Sequence, residues 1–254
     1  MHEAALRAAG LEGSYQALET PGYHLRARLQ EVRREYAGVN VTIPHKEGVI
    51  EYLDELSPEA AAIGAVNAIM RDGNRLIGHN TDGLGFVRGL DGAGISYRNK
   101  RALLLGAGGA ARAIGYALKQ EGVHVAVYNR TQKRAEALCE ALSLHRVPET
   151  MLEEAVYNCD LLINTTSVGL KDPSSSPLPE GLLPRNGVVV DIVYNPATTR
   201  LMREAQEAGL AVLGGLPMLV WQGALSFELW TGVKPDIQVM YAAARASLNE
   251  SLSR

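Results

Sequence analysis

Lys46 is the first residue of this sequence whose position indicates chemistry. It follows residues 38–43, where apolar side chains alternate with Asn40 and Thr42. This period-two pattern predicts a strand with one apolar and one polar face. A helix is then predicted over about 45–54, which puts Lys46 in a first helical turn, where the helix dipole disfavours a cation. A residue that breaks such a local rule indicates a functional site, although a solvated surface lysine explains the same pattern.

A glycine turn further along the chain predicts a dinucleotide site. Residues 102–105 are an apolar run typical of a short buried strand, and Gly106, Gly108 and Ala111 then fit the pattern G-x-G-x-x-A at the start of a helix. Glycines allow the tight turn and a close approach to the pyrophosphate, and the free N–H groups of the helix meet the phosphates. The pattern is weak alone, but its place inside a βαβ unit supports it.

The end of the next predicted strand indicates which dinucleotide is bound. NAD-binding proteins usually carry an acidic residue there for the ribose 2′-hydroxyl. This chain instead has Asn129, Arg130 and Thr131, with Arg134 one helical turn later. Two guanidinium groups and a hydroxyl at a helix N-terminus suit a phosphate dianion, which predicts NADP specificity. The alternative is a pair of surface arginines beside an N-capping threonine.

The elements that must position these residues alternate between strand and helix, which predicts an α/β fold. A hairpin is predicted around residues 72–74, and its second strand ends at Asn80–Thr81–Asp82. From position alone, Thr81 or Asp82 can cap the helix that follows, so Asp82 is open to interpretation as a structural N-cap. Asp191 ends a later buried strand, where it could reach a cofactor or cap a loop.

Charge and cysteine content exclude several classes of protein. The 254 residues carry a formal net charge of −3 without a long basic block, so neither nucleic acid nor an anionic membrane is expected as a partner. Cys139 and Cys159 form no disulfide framework, and no metal-type spacing occurs, so no metal is expected. We expect a cytoplasmic location, because unpaired cysteines suit a reducing compartment and no apolar run is long enough to cross a membrane.

Eight motifs in order along nearly the whole chain resemble those of shikimate dehydrogenases. They are Val-Asn-Val-Thr-Ile-Pro-His-Lys (39–46), Gly-Ala-Val-Asn (64–67), Asn-Thr-Asp-Gly (80–83), Gly-Ala-Gly-Gly-Ala (106–110), Asn-Arg-Thr (129–131), Asn-Thr-Thr-Ser-Val-Gly (164–169), Asp-Ile-Val-Tyr-Asn-Pro (191–196) and Gly-Leu-Pro-Met-Leu-Val-Trp-Gln (215–222).

The resemblance implies reversible, NADP-linked reduction of 3-dehydroshikimate to shikimate in chorismate and aromatic amino-acid biosynthesis. It implies an α/β substrate domain (1–82 plus 217–254) and a Rossmann-type, doubly wound NADP domain (83–216), in a monomer or homodimer. Lys46 and Asp82 would be the catalytic pair, in which the ammonium donates a proton or stabilises the alkoxide and the carboxylate favours the charged lysine. The implied substrate-binding residues are Asn40, Thr42, Asn67, Tyr194 and Gln222. The implied cofactor-binding residues are Gly106, Ala107, Gly108, Gly109, Ala110, Asn129, Arg130, Thr131, Arg134, Thr165, Ile192, Gly215 and Met218.

The sequence departs from the family pattern at its start. Members begin with a strand and a Ser-x-Ser loop whose hydroxyls bind the substrate carboxylate, whereas this sequence begins inside the helix that follows. Loss of these donors would cost about 1.5–3 kcal/mol each, so we expect weakened substrate affinity for the chain as written. Two alternatives stay open: a truncated NADP-binding form with impaired catalysis, and a quinate/shikimate dehydrogenase of broader substrate range.

Overall fold

The computed structural model describes residues 1–252 of the chain. The helices are α1 (His2–Ala8), α2 (Leu25–Glu35), α3 (Pro58–Ile63), α4 (Asp82–Gly92), α5 (Gly109–Gln120), α6 (Gln132–Leu142), α7 (Leu152–Asn158), α8 (Arg200–Glu207), α9 (Leu216–Thr231) and α10 (Ile237–Leu252). The strands are β1 (Gly38–Asn40), β2 (Glu55–Leu56), β3 (Ala68–Asp72), β4 (Arg75–His79), β5 (Arg101–Leu105), β6 (His124–Tyr128), β7 (His145–Arg146), β8 (Leu161–Asn164), β9 (Val188–Asp191) and β10 (Ala211–Leu213).

These elements form two compact units. The first consists of Met1–Gly85 and the chain from Val220 onward, and the second is Phe86–Leu219. None of the helices described has both the length and the apolar character needed to cross a membrane. Residues 1–252 contain no group of three histidine, cysteine, aspartate or glutamate side chains placed to hold a metal ion.

The first unit is built on a four-stranded mixed sheet in the order β1-β3-β4-β2. Strands β3 and β4 form the predicted hairpin, β1 pairs antiparallel with β3, and β2 pairs parallel with β4. One face of the sheet packs on α2, whose Leu29 and Val32 are buried with Ile69 and Leu76 of the hairpin. The apolar side of the hairpin therefore forms the core of this unit.

The helix predicted over 45–54 is wrong. Strand β1 ends at Asn40, turns follow, and a short 3₁₀ helix occupies Ile50–Tyr52. In an α-helix the carbonyl of Lys46 would accept from the amide of residue 50, but here it accepts from the N–H of Val66 at 2.8 Å. Lys46 therefore lies in a turn and not in the first turn of a helix, so no helix dipole acts on it as predicted.

The second unit contains a six-stranded, fully parallel sheet in the order β10-β9-β8-β5-β6-β7. Read from the other edge, this is the 3-2-1-4-5-6 order of doubly wound nucleotide-binding folds, with the switch point between β5 and β8. Residues 102–105 of β5 are all buried, as expected for a strand covered on both faces. The predicted α/β fold with a Rossmann-type sheet is confirmed.

Candidate active site

A partly buried ion pair joins Lys46 to Asp82 in the first unit. The Nζ of Lys46 lies 2.5 Å from Oδ2 of Asp82, and the two side chains are 16% and 4% exposed. Lys46 belongs to the turn after β1, and Asp82 is the first residue of α4, where the helix dipole favours a carboxylate. The Asp82 side chain thus contacts Lys46, while the Asp82 amide donates to Oδ1 of Asn80 at 3.1 Å.

Asn67 holds the second oxygen of the carboxylate. Its Nδ2 donates to Oδ1 of Asp82 at 2.8 Å and to Oγ1 of Thr81 at 2.9 Å. Its Oδ1 accepts from the backbone N–H of Thr81 at 2.6 Å, which fixes the orientation of the amide because a backbone N–H can only donate. Both oxygens of Asp82 are therefore held, and the ammonium group of Lys46 has a defined position.

Gln222 and Asn40 complete a polar cluster around this pair. Oε1 of Gln222 lies 3.3 Å from Nδ2 of Asn67, and Nδ2 of Asn40 donates to the carbonyl of Asn67 at 3.1 Å. Gln222 comes close to α4 because residue 85 is glycine: a Cβ there would lie 2.7 Å from the backbone nitrogen of Gln222. Ammonium, carboxylate and amide groups at one place can exchange a proton and bind hydroxyl groups.

Two of the predicted substrate residues, Thr42 and Tyr194, take no part in the hydrogen bonds described above. The Thr42 side chain is exposed, and its backbone carbonyl accepts from the N–H of His45 at 2.9 Å. Tyr194 belongs to the second unit, where it follows β9 and is 39% exposed. The contacts described above therefore bring together Asn40, Asn67 and Gln222 with the ion pair.

Ser226 and Tyr15 also contact this cluster, and neither was predicted as a site residue from the sequence. Ser226 of α9 is fully buried and accepts from Nδ2 of Asn40 at 2.9 Å. Tyr15 lies in a segment without regular secondary structure and donates to Oδ1 of Asn40 at 3.0 Å. A serine in an otherwise apolar stretch of helix was the one signal for Ser226, and Tyr15 gave none.

The glycine turn of the second unit is shaped for a phosphate group. Gly106 has φ +117°, and a Cβ there would lie 2.6 Å from Oγ1 of Thr165, so only glycine fits. A Cβ on Gly108, the N-cap of α5, would meet no atom within 4 Å. The N-terminus of α5 thus faces open space next to its free N–H groups, and this arrangement fits a dinucleotide pyrophosphate.

The residues predicted to bind the 2′-phosphate lie between β6 and α6. Nδ2 of Asn129 donates to the carbonyl of Thr131 at 2.9 Å, and Arg130, Thr131 and Arg134 are all exposed. Thr131 is the N-cap residue of α6, but its side chain makes no capping hydrogen bond. An anion can reach these groups at a helix N-terminus.

Of the residues predicted near the nicotinamide, Thr165, Ile192 and Gly215 follow the carboxyl ends of strands, and Met218 lies in the first turn of α9. Ile192, Gly215 and Met218 line one narrow apolar crevice together with Phe86 and Leu213. A Cβ on Gly215 would lie 2.1 Å from the carbonyl oxygen of Ile192, so the two segments can approach only at a glycine.

Asp191 is a structural residue at the end of β9. Its side chain is fully buried and accepts from Nδ2 of Asn164 at 3.0 Å, the N–H of Val193 at 3.0 Å and Oγ1 of Thr199 at 2.7 Å. Burial raises the pKa of this carboxyl group, and the three hydrogen bonds oppose that shift. Of the two roles considered for Asp191, these contacts favour fixing the loop.

Thr199→Val is expected to lower the free energy of unfolding by about 1–3 kcal/mol, because it removes a bond to Asp191 and the N-cap of α8. The Thr199 hydroxyl stabilises the ionised carboxylate, so the loss should be larger at neutral pH than at mildly acidic pH, where Asp191 begins to bind a proton. Urea unfolding at both pH values measures this. Thr150→Val, at an exposed position, is the control. An equal loss at both pH values would contradict the role given to Asp191.

The parallel sheet and its glycine turn define a Rossmann-type protein with a dinucleotide-binding shape. The same chain contains a unit that holds a partly buried lysine–aspartate pair. Three family models match, described as the shikimate dehydrogenase substrate binding domain (residues 1–69), shikimate / quinate 5-dehydrogenase (92–192) and the shikimate 5′-dehydrogenase C-terminal domain (215–245).

The names of proteins similar to this chain match the descriptions of these family models. Shikimate dehydrogenase (NADP(+)) of Thermus thermophilus is 54% identical over 98% of this chain and 92% of its own length. A shikimate 5-dehydrogenase from Thermus thermophilus, solved with NADP(H) and shikimate, is 51% identical with a TM-score of 0.92, over 97% of this chain and 93% of that one. A quinate dehydrogenase from Corynebacterium glutamicum, solved with NAD, is 29% identical with a TM-score of 0.88, over 96% and 92%. This chain belongs to the shikimate dehydrogenase family, which confirms the resemblance seen in the motifs.

Proposed function

We propose that this chain catalyses the reversible, NADPH-dependent reduction of 3-dehydroshikimate to shikimate, a step of chorismate and aromatic amino-acid biosynthesis. The observation that carries the proposal is the partly buried Lys46–Asp82 pair, whose carboxylate is also bound by Asn67. The Thermus relatives support it, since one is named for this activity with NADP⁺ and another was solved with NADP(H) and shikimate.

Lys46 and Asp82 are proposed as the catalytic residues. NADPH, when bound, supplies a hydride to the carbonyl carbon of the substrate. In reduction, the Lys46 ammonium donates its proton to the carbonyl oxygen, and in oxidation the neutral amine takes that proton from the hydroxyl group. Asp82 orients the ammonium through the ion pair between the two side chains. Asn67 keeps Asp82 in place through a hydrogen bond of 2.8 Å.

Each of the remaining site residues is proposed to bind either the substrate or the cofactor. Asn40, Thr42, Asn67, Tyr194 and Gln222 are proposed to bind the substrate. The pyrophosphate would meet residues 106–110, and the 2′-phosphate would meet residues 129–131 with Arg134. Thr165, Ile192, Gly215 and Met218 are proposed around the nicotinamide half. The open space over Gly108 and the exposed guanidinium groups support the cofactor assignments.

The two domains are proposed to divide these tasks. Residues 1–82 plus 217–254 would form the substrate-binding domain and residues 83–216 the NADP-binding domain, while Tyr194 and Met218 are the two assigned residues that do not follow this division. The compact units of the structure have boundaries within a few residues of this division, which supports it. The state of assembly, monomer or homodimer, and the cytoplasmic location stay predictions.

Arg130→Ala is expected to weaken NADPH binding at least tenfold and NADH binding less than threefold, because a hydrogen bond to a charged group contributes about 1.5–3 kcal/mol and NADH lacks the phosphate. Fluorescence titration of both cofactors measures the difference. Lys133→Ala removes an exposed positive charge from the first turn of α6, close to Arg130 in sequence, and serves as the control for general electrostatics. An equal loss for both cofactors would reject Arg130 as a phosphate ligand.

The decisive experiment measures reduction of NADP⁺ and of NAD⁺ by the purified chain with shikimate or quinate. We expect turnover with shikimate and NADP⁺. The relation to a quinate dehydrogenase makes quinate the second candidate substrate. Turnover with quinate and NAD⁺ above that with shikimate and NADP⁺ would favour the quinate enzyme. Binding of NADP⁺ without turnover of either substrate would favour a non-catalytic form.

A further inference from the structure

We propose that Tyr15 and Ser226 are positioning residues that fix the Asn40 amide so that it recognises a substrate hydroxyl through Oδ1. This inference rests on the proposed function, because it concerns the substrate of the same site. It follows from the direction of each hydrogen bond around Asn40, Ser226 and Tyr15, which all belong to the first unit.

The orientation of the Asn40 amide is determined by its neighbours. One of its two polar atoms lies 3.1 Å from the backbone carbonyl oxygen of Asn67, which can only accept, so that atom is Nδ2. The same nitrogen lies 2.9 Å from Oγ of Ser226. An amide nitrogen has two hydrogens, and these two acceptors use both of them.

Ser226 can only act as an acceptor toward Asn40. Its Oγ lies 3.0 Å from the backbone carbonyl oxygen of Gln222, which takes the single hydrogen of the hydroxyl. The lone pairs of Oγ then face Nδ2 of Asn40 at 2.9 Å and Oγ1 of Thr81 at 3.2 Å. Ser226 is fully buried, so water cannot replace it as the acceptor.

Tyr15 holds the other end of the amide. Its hydroxyl donates to Oδ1 of Asn40 at 3.0 Å. The ring is held by stacking on His2, with centroids 4.1 Å apart and planes 11° apart, and Trp230 lies next to both rings. The hydroxyl of Tyr15 is therefore fixed by contacts that do not involve Asn40.

The Asn40 amide can accept one more hydrogen bond. A carbonyl oxygen has two lone pairs, and Oδ1 accepts one hydrogen bond, from Tyr15, among the residues that the structure describes. The side chain is half-buried, so a ligand can reach the remaining lone pair. A carboxylate has no hydrogen to donate, whereas a hydroxyl does, and Asn40 in this orientation selects the hydroxyl.

Tyr15→Phe tests the inference, because it keeps the stacked ring and removes the hydroxyl alone. We expect KM for shikimate to rise about three- to tenfold, the range for one neutral hydrogen bond, while kcat and the KM for NADP⁺ stay within twofold. Tyr36→Phe is the matched control: it also removes a hydrogen-bonded hydroxyl in the first unit, which accepts from Gln16 at 2.9 Å. Ser226→Ala should shift KM in the same direction, with folding checked by circular dichroism.

Shikimate analogues that each lack one of the hydroxyls that are not oxidised show which group Asn40 binds. For one analogue, Tyr15→Phe should cause no further rise in KM, and for the others the rise should persist. An equal rise for all analogues, or no rise with shikimate, would reject the inference alone, and a loss of kcat or of NADP⁺ affinity would show a merely structural role. Absence of turnover by the unsubstituted chain would reject the proposed function, and this inference with it.

Discussion

Replacement of Lys46 with alanine is expected to lower kcat with shikimate about 10²- to 10⁴-fold, the usual contribution of a positioned general acid or base. The variant retains the carboxylate of Asp82, which still accepts from Asn67, but it has no group that can exchange the substrate proton. The fold should stay intact, because the shortened side chain admits water to the carboxylate. Steady-state kinetics and circular dichroism of the purified variant measure both effects.

Lys100→Ala is the matched control for Lys46→Ala. Lys100 is an exposed lysine in the turn before β5, so its loss removes the same charge from a position without a proposed role. We expect its kcat to stay within twofold of that of the unsubstituted chain. Near-normal turnover by Lys46→Ala would reject Lys46 as the catalytic lysine.

Asp82→Asn should lower kcat about 10²- to 10³-fold, the size of effect seen when one electrostatic contact to the reacting group is removed. The substituted amide keeps the shape of the side chain, and its oxygen can still accept from Asn67. Its nitrogen would then face the Lys46 ammonium, donor against donor, where the carboxylate oxygen now lies at 2.5 Å. The lysine therefore loses both its orientation and the negative charge of its partner.

A double variant shows whether Lys46 and Asp82 act together or independently in catalysis. Residues that act as a unit are strongly non-additive, so Lys46→Ala combined with Asp82→Asn should be about as slow as Lys46→Ala alone. If the two losses instead multiply, Asp82 contributes to catalysis by a route other than Lys46, and the pairing proposed for them is wrong.

Much of the second unit was predictable because its signals are local. The apolar run at 102–105, the turn at Gly106 and the helix after it follow one another within about a dozen residues, and each agrees with the parallel sheet. The hairpin of the first unit was predictable for the same reason. The family resemblance, and not periodicity, supplied Asp82 as the partner of Lys46.

The failures involve interactions between residues that are distant in sequence. Over 45–54 the backbone forms turns instead of the predicted helix, and the carbonyl of Lys46 bonds to the distant Val66, which no pattern within the segment predicts. Ser226 and Asn40 are 186 residues apart, and neither the apolar sequence of α9 nor the alternation in β1 indicates that they meet. Tertiary hydrogen bonds of this kind determine the geometry of the site, and patterns in a single sequence do not predict them.

Gly85 limits how this site can be transferred to another protein scaffold. The carboxylate at residue 82 and the amide at residue 222 come from different helices, and their backbones approach only because residue 85 has no side chain. A transplant that copied Lys46, Asp82 and Asn67 but carried alanine at 85 would place a methyl group 2.7 Å from the nitrogen of Gln222 and push the amide away. The smallest portable form of this centre therefore includes a residue with no functional group at all.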